Sequence, residues 1–316
     1  MRDSFHIPLK LVPALALVAA LAILPPALLA AHQPFYIVLA TRILIYGLVA
    51  TSLNLLIGYT GMISFGHAAF VGAGAYAAAV LVRAGVDSAW FDWPAAALAG
   101  ALLALLIGAV SLRTQGVYFI MITLAFAQMA YYVIISLKLL GSDDGLNLPH
   151  RPVLGFGIDL LSDASFYYVT LVPILVLLVL LRAFLNGRIG RALQGIRDNE
   201  TRMEAIGFAT YRLKLLCFVI AGAVAGFGGG FLASLNGFVS PNLFQWQQSG
   251  MLMVMVILGG TRSFLGGMIG AAVLLIAEEI FTDYTDHWPL GVGLVLLAVV
   301  LCAPQGLMSL TRRALR

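Results

Sequence analysis

Charged residues are scarce in this sequence. Only 10% of its 316 residues are Asp, Glu, Lys or Arg, whereas 61% are hydrophobic and the mean hydropathy is +1.00. Because a soluble chain carries about 25% charged residues, this composition excludes a soluble globular protein and indicates a polytopic membrane protein. Nucleic-acid binding would need a clustered basic face, which a net charge of +4 does not provide, so we expect no nucleic-acid partner.

The sequence also lacks the residue clusters that hold metals, cofactors or phosphates. Its two cysteines, Cys217 and Cys302, lie in apolar runs far apart, so neither a disulfide framework nor a metal-ligand pair is expected. His67 has no second His, Cys or carboxylate at ligand spacing beside it. The glycine-rich segments have no Gly-Lys-Ser/Thr ending, which argues against an ATP site in this chain. We therefore expect no metal, no cofactor and no catalysed covalent reaction.

Long apolar runs dominate what is present. A helix needs about 20 mostly apolar residues to cross a bilayer, and about ten runs approach that length. We therefore predict an all-α polytopic membrane protein with about ten transmembrane helices in a single domain, residues 1–316. The stretch 250–282 is interrupted by glycines, so it forms either two crossings or a re-entrant hairpin. The runs are 11–31, 35–57, 62–82, 94–112, 116–137, 166–185, 213–235, 250–261, 266–282 and 290–303.

The distribution of charge between the loops predicts the orientation in the membrane. Fourteen Lys and Arg residues fall on one side, whereas the opposite loops hold three among eight acidic residues. Basic residues near span ends resist translocation, so the side with fourteen is expected to face the cytoplasm. Both termini then lie in the cytoplasm, which requires an even number of crossings.

Six polar residues in or beside the runs are candidates for a substrate path. Polar side chains within a membrane either line such a path or join helices by hydrogen bonds, and the residue types alone leave both roles open. Several of them flank the turn 58–61, which we expect to interrupt the helices on either side. The candidates are Asn54, Thr60, Ser64, His67, Thr123 and Gln128.

Charged residues in or near the apolar runs are expected to lie at the membrane surface rather than in a substrate path. Arg42 lies about eight residues into the second run, where its side chain is expected to reach the outer interface. Glu278 and Glu279 are expected to be solvated acids at the outer rim. Every Asp and Glu falls in a loop or at the end of a run, which argues against an ion-coupled carrier, because carriers usually bury a carboxylate at mid-membrane.

The longest basic loop, residues 186–212, has its own helical pattern. Apolar residues recur at helical spacing from Ile189 to Ile196 and predict a short amphipathic helix, and a second helix is expected to follow and to end at Gly207. Binding to anionic lipid stays open, but the mixed charges Asp198, Glu200, Arg202 and Glu204 favour docking to a cytoplasmic protein. The residues assigned to this coupling role are Arg191, Arg197, Asp198, Asn199 and Glu200.

Several long motifs resemble one family. Residues 53–70 read LNLLIGYTGMISFGHAAF, and with the following GAY at 74–76 they closely resemble the branched-chain amino-acid permeases of ABC importers, of the LivM type. The resemblance covers nearly the whole chain from about residue 40. Two positions depart from it: Gln305 stands where the family often has Arg, and Gly267 where it often has Pro. Further matching segments are RTQGVYF at 113–119, GSDDGL at 141–146, GRA at 190–192, IRDNE at 196–200, LGGT at 258–261 and APQGL at 303–307.

The resemblance implies a permease subunit with a type II-like importer bundle in the bacterial inner membrane, translocating leucine, isoleucine and valine. Its implied partners are a sister permease of the LivH type, two cytoplasmic ATP-binding subunits, a periplasmic solute-binding protein and membrane lipid. The family also includes permeases for urea, short amides and aromatic acids, which remain alternatives. An ATPase-independent channel or secondary carrier is the less favoured alternative of another class.

Overall fold

The computed structural model describes residues 12–155, 160–261, 263–284, 287–303 and 306–308, and most of these residues are helical. The family departure Gln305 lies outside them. Two short strands, β1 Leu146–Asn147 and β2 Phe238–Val239, pair antiparallel. The helices are α1 Val12–Ala30, α2 Phe35–Thr60, α3 His67–Arg83, α4 Ala89–Ser111, α5 Val117–Ser136, α6 Asp163–Asn186, α7 Arg188–Asp198, α8 Glu200–Ala205, α9 Thr210–Asn236, α10 Trp246–Gly259, α11 Gly266–Tyr284 and α12 Trp288–Cys302.

Each predicted apolar run overlaps one of the longer helices. The length and composition of these helices, however, support fewer membrane crossings than the sequence predicts. Within the described residues, five helices are long and apolar enough to span a membrane: α2, α4, α5, α6 and α9. Helix α10 has 14 residues and rises about 21 Å, less than the roughly 30 Å of a bilayer core. The count of about ten crossings is therefore not established by the helices themselves.

Helices α2 and α9 form the centre of the bundle. About two thirds of the apolar window of each is buried, whereas only 17% of the window of α5 is buried. The outward faces of α4, α5 and α6 carry exposed large apolar side chains, among them Leu106, Met121 and Val179. A folded chain in water would bury such side chains, so these faces fit contact with lipid or with another membrane protein.

Glycines let α9 approach its neighbours closely. A Cβ atom on Gly226 would lie 2.4 Å from the carbonyl oxygen of Ala96 in α4, and one on Gly74 in α3 would lie 2.0 Å from the carbonyl oxygen of Gly226. No side chain fits at such separations, so backbone packs on backbone. Close approach of this kind is how helices associate where lipid removes the hydrophobic driving force.

Two helix interruptions lie inside the bundle. Helix α2 continues through the predicted turn 58–61 and ends where Gly61 adopts a φ of 75°, so residues 61–66 form the actual break before α3. Helices α10 and α11 pack tightly against each other as a hairpin, in which a Cβ atom on Gly270 would lie 1.7 Å from the carbonyl oxygen of Met255. Gly267 lies against the backbone of Thr51 in α2, so the small residue at this position lets α11 pack on α2.

Two acids predicted to be in loops or at the rim are instead enclosed by helices. Asp92 lies in the first turn of α4 and is fully buried, because α4 begins at Ala89, before the predicted run. Glu278 is only 17% exposed in its side chain, and one of its oxygens lies 3.6 Å from the guanidinium of Arg42. Arg42 therefore has an ionic partner on α11, whereas Asp92 lies at the end of a helix, as the sequence predicts.

Replacement of Gly226 by Ala tests the close packing around α9. The added methyl group meets the backbone of α4, so we expect Gly226→Ala to lower the free energy of unfolding by about 1–3 kcal/mol. The measurement is the thermal unfolding midpoint of the detergent-purified protein. Gly293→Ala in α12 is the control, because a Cβ atom there has no neighbour within 4 Å and the higher helix propensity of Ala acts alone. Equal midpoints for the two variants would contradict the packing argument.

Candidate functional site

At the break between α2 and α3, buried hydroxyl groups from two helices and from the break itself bind backbone amides. The amide of Phe65 donates to Oγ1 of Thr123 in α5 at 3.3 Å, and the amide of Ala68 donates to Oγ of Ser249 in α10 at 2.9 Å. Within the break, the amide of Gly66 donates to Oγ of Ser64 at 3.2 Å. These side chains satisfy backbone groups that the interruption removes from the helical pattern, as a buried polar backbone requires.

His67 begins α3 and is fully buried beside this break. Its Nε2 lies 2.8 Å from Oγ of Ser52, and that hydroxyl donates its hydrogen to the carbonyl oxygen of Val49 at 2.7 Å. Ser52 therefore links the imidazole of His67 to helix α2. The other ring nitrogen, Nδ1, is buried and has no hydrogen-bond partner among the described residues.

The remaining path candidates lie elsewhere. Asn54 donates through Nδ2 to the carbonyl oxygen of Ser263 at 2.7 Å, so it faces the α10–α11 turn rather than His67. Thr60 donates to the carbonyl oxygen of Leu56, four residues earlier in its own helix. Gln128 is half-buried on α5 with no described contact to the break. Of the six candidates, Ser64, His67 and Thr123 therefore lie at or beside the break.

Two residues at the break were not predicted as site residues from the sequence. Ser249 lies just outside the predicted run 250–261, because α10 begins at Trp246 and not at residue 250. Ser52 stands in the middle of an apolar run, where serine commonly bonds to its own helix. The polar stretch Gln247-Gln248-Ser249 is a local signal that could have extended the predicted helix at its start.

The loop 186–212 folds as its pattern predicts. It contains α7 and α8, and Asn199 caps α8 by accepting a hydrogen bond from the amide of Arg202 at 2.9 Å. On α7, Leu193 and Ile196 are buried against the bundle, whereas Arg191 is exposed. The amphipathic helix therefore rests its apolar face on the protein itself.

Not all charges of this loop face outward. The guanidinium of Arg197 donates to the carbonyl oxygen of Gly58 near the end of α2. Glu200 pairs with the ammonium of Lys214 in α9 through Oε1, and its Oε2 accepts from Nε2 of Gln115 at 3.3 Å. Glu204 accepts a hydrogen bond from Thr210 at 2.7 Å. Glu200 therefore turns toward the bundle, whereas Asp198, Arg202 and Glu204 are exposed.

Gly58 is the point where the loop, α2 and the α10–α11 hairpin meet. A Cβ atom there would lie 2.1 Å from the carbonyl oxygen of Thr261 and 2.4 Å from Oδ1 of Asn54. Only glycine fits at this position without displacing one of these groups. Arg197 binds the carbonyl of the same residue, so α7 is in direct contact with the end of α2.

A partly open cavity of about 180 Å³ lies between the break and α8. Its walls are the end of α2, the α4–α5 turn, the first turn of α5, and the Glu200–Lys214 pair. In the described part of the chain, no group of three or more His, Cys, Asp or Glu residues is placed to hold a metal ion. The lining residues are Thr60, Gly61, Met62, Ile63, Leu112, Thr114, Gln115, Gly116, Phe119, Ile120, Glu200 and Lys214.

Comparison with known proteins places the chain among transport subunits. The family model described as "Branched-chain amino acid transport system / permease component" matches residues 35–304. The LivM permease protein of the high-affinity branched-chain amino-acid transport system of Escherichia coli K12 is 29% identical over 88% of this chain and 71% of its own length. The corresponding LivH protein of the same strain is 26% identical over 84% of this chain and 91% of its own length. No solved structure matches the chain significantly.

Cysteine labelling tests the burial of the break. Ser64 is fully buried and its neighbour Ile63 is 39% exposed. In a background with Cys217 and Cys302 replaced by Ala, we expect a thiol-reactive maleimide to label Ile63→Cys at least about tenfold faster than Ser64→Cys, because a buried thiol is inaccessible to the reagent. The rates are measured by mass spectrometry on the purified protein. Equal labelling of the two positions would contradict the described packing.

Proposed function

The chain belongs to the family of permease components of branched-chain amino-acid transport systems, and we propose that it is the membrane-spanning subunit of an ABC importer that translocates leucine, isoleucine and valine. The observation that carries this proposal is the family match over residues 35–304, which takes in the bundle from α2 to α12. The names of the relatives favour branched-chain amino acids over urea, short amides and aromatic acids as cargo.

The proposed topology follows from the apolar runs and the loop charges. The chain forms one domain, residues 1–316, with about ten membrane segments in a type II-like importer bundle, and α10 with α11 forms a re-entrant hairpin. The short length of α10 and its tight turn onto α11 support the hairpin. The excess of basic residues on the loops that include 186–212 supports cytoplasmic termini in a bacterial inner membrane.

The proposed complex contains several other chains. The similarity of this chain to both LivM and LivH supports pairing with a homologous sister permease of the LivH type. Two cytoplasmic ATP-binding subunits supply the energy and a periplasmic solute-binding protein delivers the substrate. This subunit itself carries out no covalent chemistry, and its contribution is to bind, orient and release the substrate.

The break between α2 and α3 is the proposed centre of the substrate path. Polar atoms are concentrated here, near the first residues of α3 and α10. They belong to Ser64, His67, Thr123 and Ser249. Backbone that leaves the helical pattern at membrane depth is tolerated where protein groups satisfy it, and such places commonly line substrate paths. Nδ1 of His67 supplies a buried acceptor for a substrate ammonium once the break opens. Asn54, Thr60 and Gln128 extend the path on either side of the break.

The segment α7–α8 is the proposed coupling element. Its outward surface combines the charges of Arg191, Asp198 and Arg202 with two exposed apolar side chains, Ile206 and Phe208. Apolar groups with a polar rim suit a protein groove better than an anionic lipid surface. Arg197 and Glu200 pass movement of this segment on to α2 and α9, through their contacts with Gly58 and Lys214.

Reconstitution tests the proposed function. In liposomes that contain this chain, its sister permease, the ATP-binding subunits and the solute-binding protein, we expect ATP-dependent accumulation of labelled leucine. Without the ATP-binding subunits we expect no accumulation, because the energy comes from them. ATP hydrolysis by this chain alone, or accumulation driven by an ion gradient without the partners, would refute the proposal.

The substitution Arg197→Ala tests the coupling role. Loss of the guanidinium removes the contact between α7 and the end of α2, so leucine import by the complex should fall about tenfold at an unchanged rate of ATP hydrolysis. Import and hydrolysis are measured in the same proteoliposomes. Arg188→Ala removes the same charge from the same exposed helix at a position with no described contact to α2, and it should retain normal import. A similar import-to-hydrolysis ratio in the two variants would argue against the role of Arg197.

A further inference from the structure

We propose that the cavity between the α2–α3 break and α8 is a binding site for a free amino acid with a short apolar side chain, and that its occupation holds the coupling segment. This inference rests on the proposed function, because it takes the imported amino acid as its ligand. The cavity of about 180 Å³ has room for on the order of ten water-sized groups, which is enough for a small amino acid.

One wall of the cavity is apolar. Met62, Leu112 and Phe119 are each less than 10% exposed, and Ile63 and Ile120 complete the wall. A branched aliphatic side chain placed there removes apolar surface from water on both partners, which stabilises binding by about 25 cal/mol for each Å² buried. A strongly polar solute such as urea gains nothing from this wall.

The opposite wall carries one charge of each sign. The ammonium of Lys214, 8% exposed in its side chain, and the carboxylate of Glu200, 25% exposed, both face the cavity. The described contacts of Lys214 use one of its three N–H groups, so the ammonium can bind an incoming carboxylate while still paired with Glu200. A zwitterion fits this wall, with its carboxylate at Lys214 and its ammonium at Glu200.

The N-terminus of α5 strengthens the same orientation. This helix end opens on the cavity at Gly116, and no side chain caps it in the described structure. Its amides and partial positive charge favour a carboxylate there. The C-terminus of α2 also borders the cavity, but its Gly58 carbonyl oxygen already binds the guanidinium of Arg197, so this helix end adds nothing to the binding of an ammonium. The N-terminus of α5 therefore supports Lys214 in binding the carboxylate, while Glu200 binds the ammonium.

Occupation of this site would act on the coupling segment. Glu200 begins α8 and Lys214 belongs to the first turns of α9, so a ligand that bridges them adds a link between the loop and the bundle. An amino acid that accumulates on this side of the membrane would then hold α8 in place and slow further import. The cavity thus provides inhibition of import by its own product.

The test measures binding of labelled leucine in nanodiscs to the membrane complex of the two permeases and the ATP-binding subunits, without the solute-binding protein, because that protein binds the substrate itself. We expect Lys214→Gln to weaken binding about tenfold or more, because it removes a charge-assisted contact. The exchange variant Glu200→Lys with Lys214→Glu keeps the ion pair, and we expect it to lose binding equally, since the N-terminus of α5 still favours a carboxylate at the original place. Arg113→Gln, in the same α4–α5 turn but outside the cavity lining, should bind as the wild type does. Leucinamide and 4-methylpentanoate, which each lack one charge, should compete poorly with leucine.

A second readout follows import. Preloading proteoliposomes with unlabelled leucine on the side of the coupling segment should slow the uptake of labelled leucine in the wild type severalfold more than in Lys214→Gln. A complex that imports leucine but binds it equally well in Lys214→Gln, or in the exchange variant, would overturn the site and leave the proposed function intact. A complex that imports no branched-chain amino acid would overturn the proposed function and the site together.

Discussion

The backbone between α2 and α3 leaves the helical pattern inside the bundle, and its amides must find partners there. Water cannot supply those partners at membrane depth, and each unsatisfied amide would cost several kcal/mol. Hydroxyl groups from Ser64, Thr123 and Ser249 accept these hydrogen bonds. The packing of α5 and α10 against the break is thus part of what stabilises it.

Close backbone packing makes this arrangement attainable. Gly74 and Gly226 draw α3 against α9, and Gly267 draws α11 against α2. Glycine costs a helix some stability, and the loss is tolerated because no larger residue would let the helices approach so closely. Close backbone packing at Gly58 likewise places the end of α2 between the hairpin turn and α7. The surface segment α7–α8 is thereby in direct contact with the helix end that precedes the break.

Charged groups inside the bundle occupy positions that composition alone would not assign. Glu278 lies near Arg42 across two helices, and Asp92 is fully enclosed in the first turn of α4, where the helix dipole favours a carboxylate. A buried carboxylate is also what an ion-coupled carrier would need, so the acids do not separate the two transport classes. The family match over residues 35–304 separates them.

Local sequence patterns by themselves determined the helices, including α7, the Asn199 cap and α8, because apolar periodicity and capping depend on neighbours within a few residues. They also determined the membrane class and the family. Only the tertiary structure decided which polar residues meet: Ser249 caps a residue 181 positions away, and Glu200 turns inward to Lys214 rather than outward. The physical reason is that a helix pattern fixes which residues share a face, whereas the partner of that face depends on how distant helices pack. Asn54 and Ser52 lie two residues apart on one helix, yet they point to different interruptions for that reason.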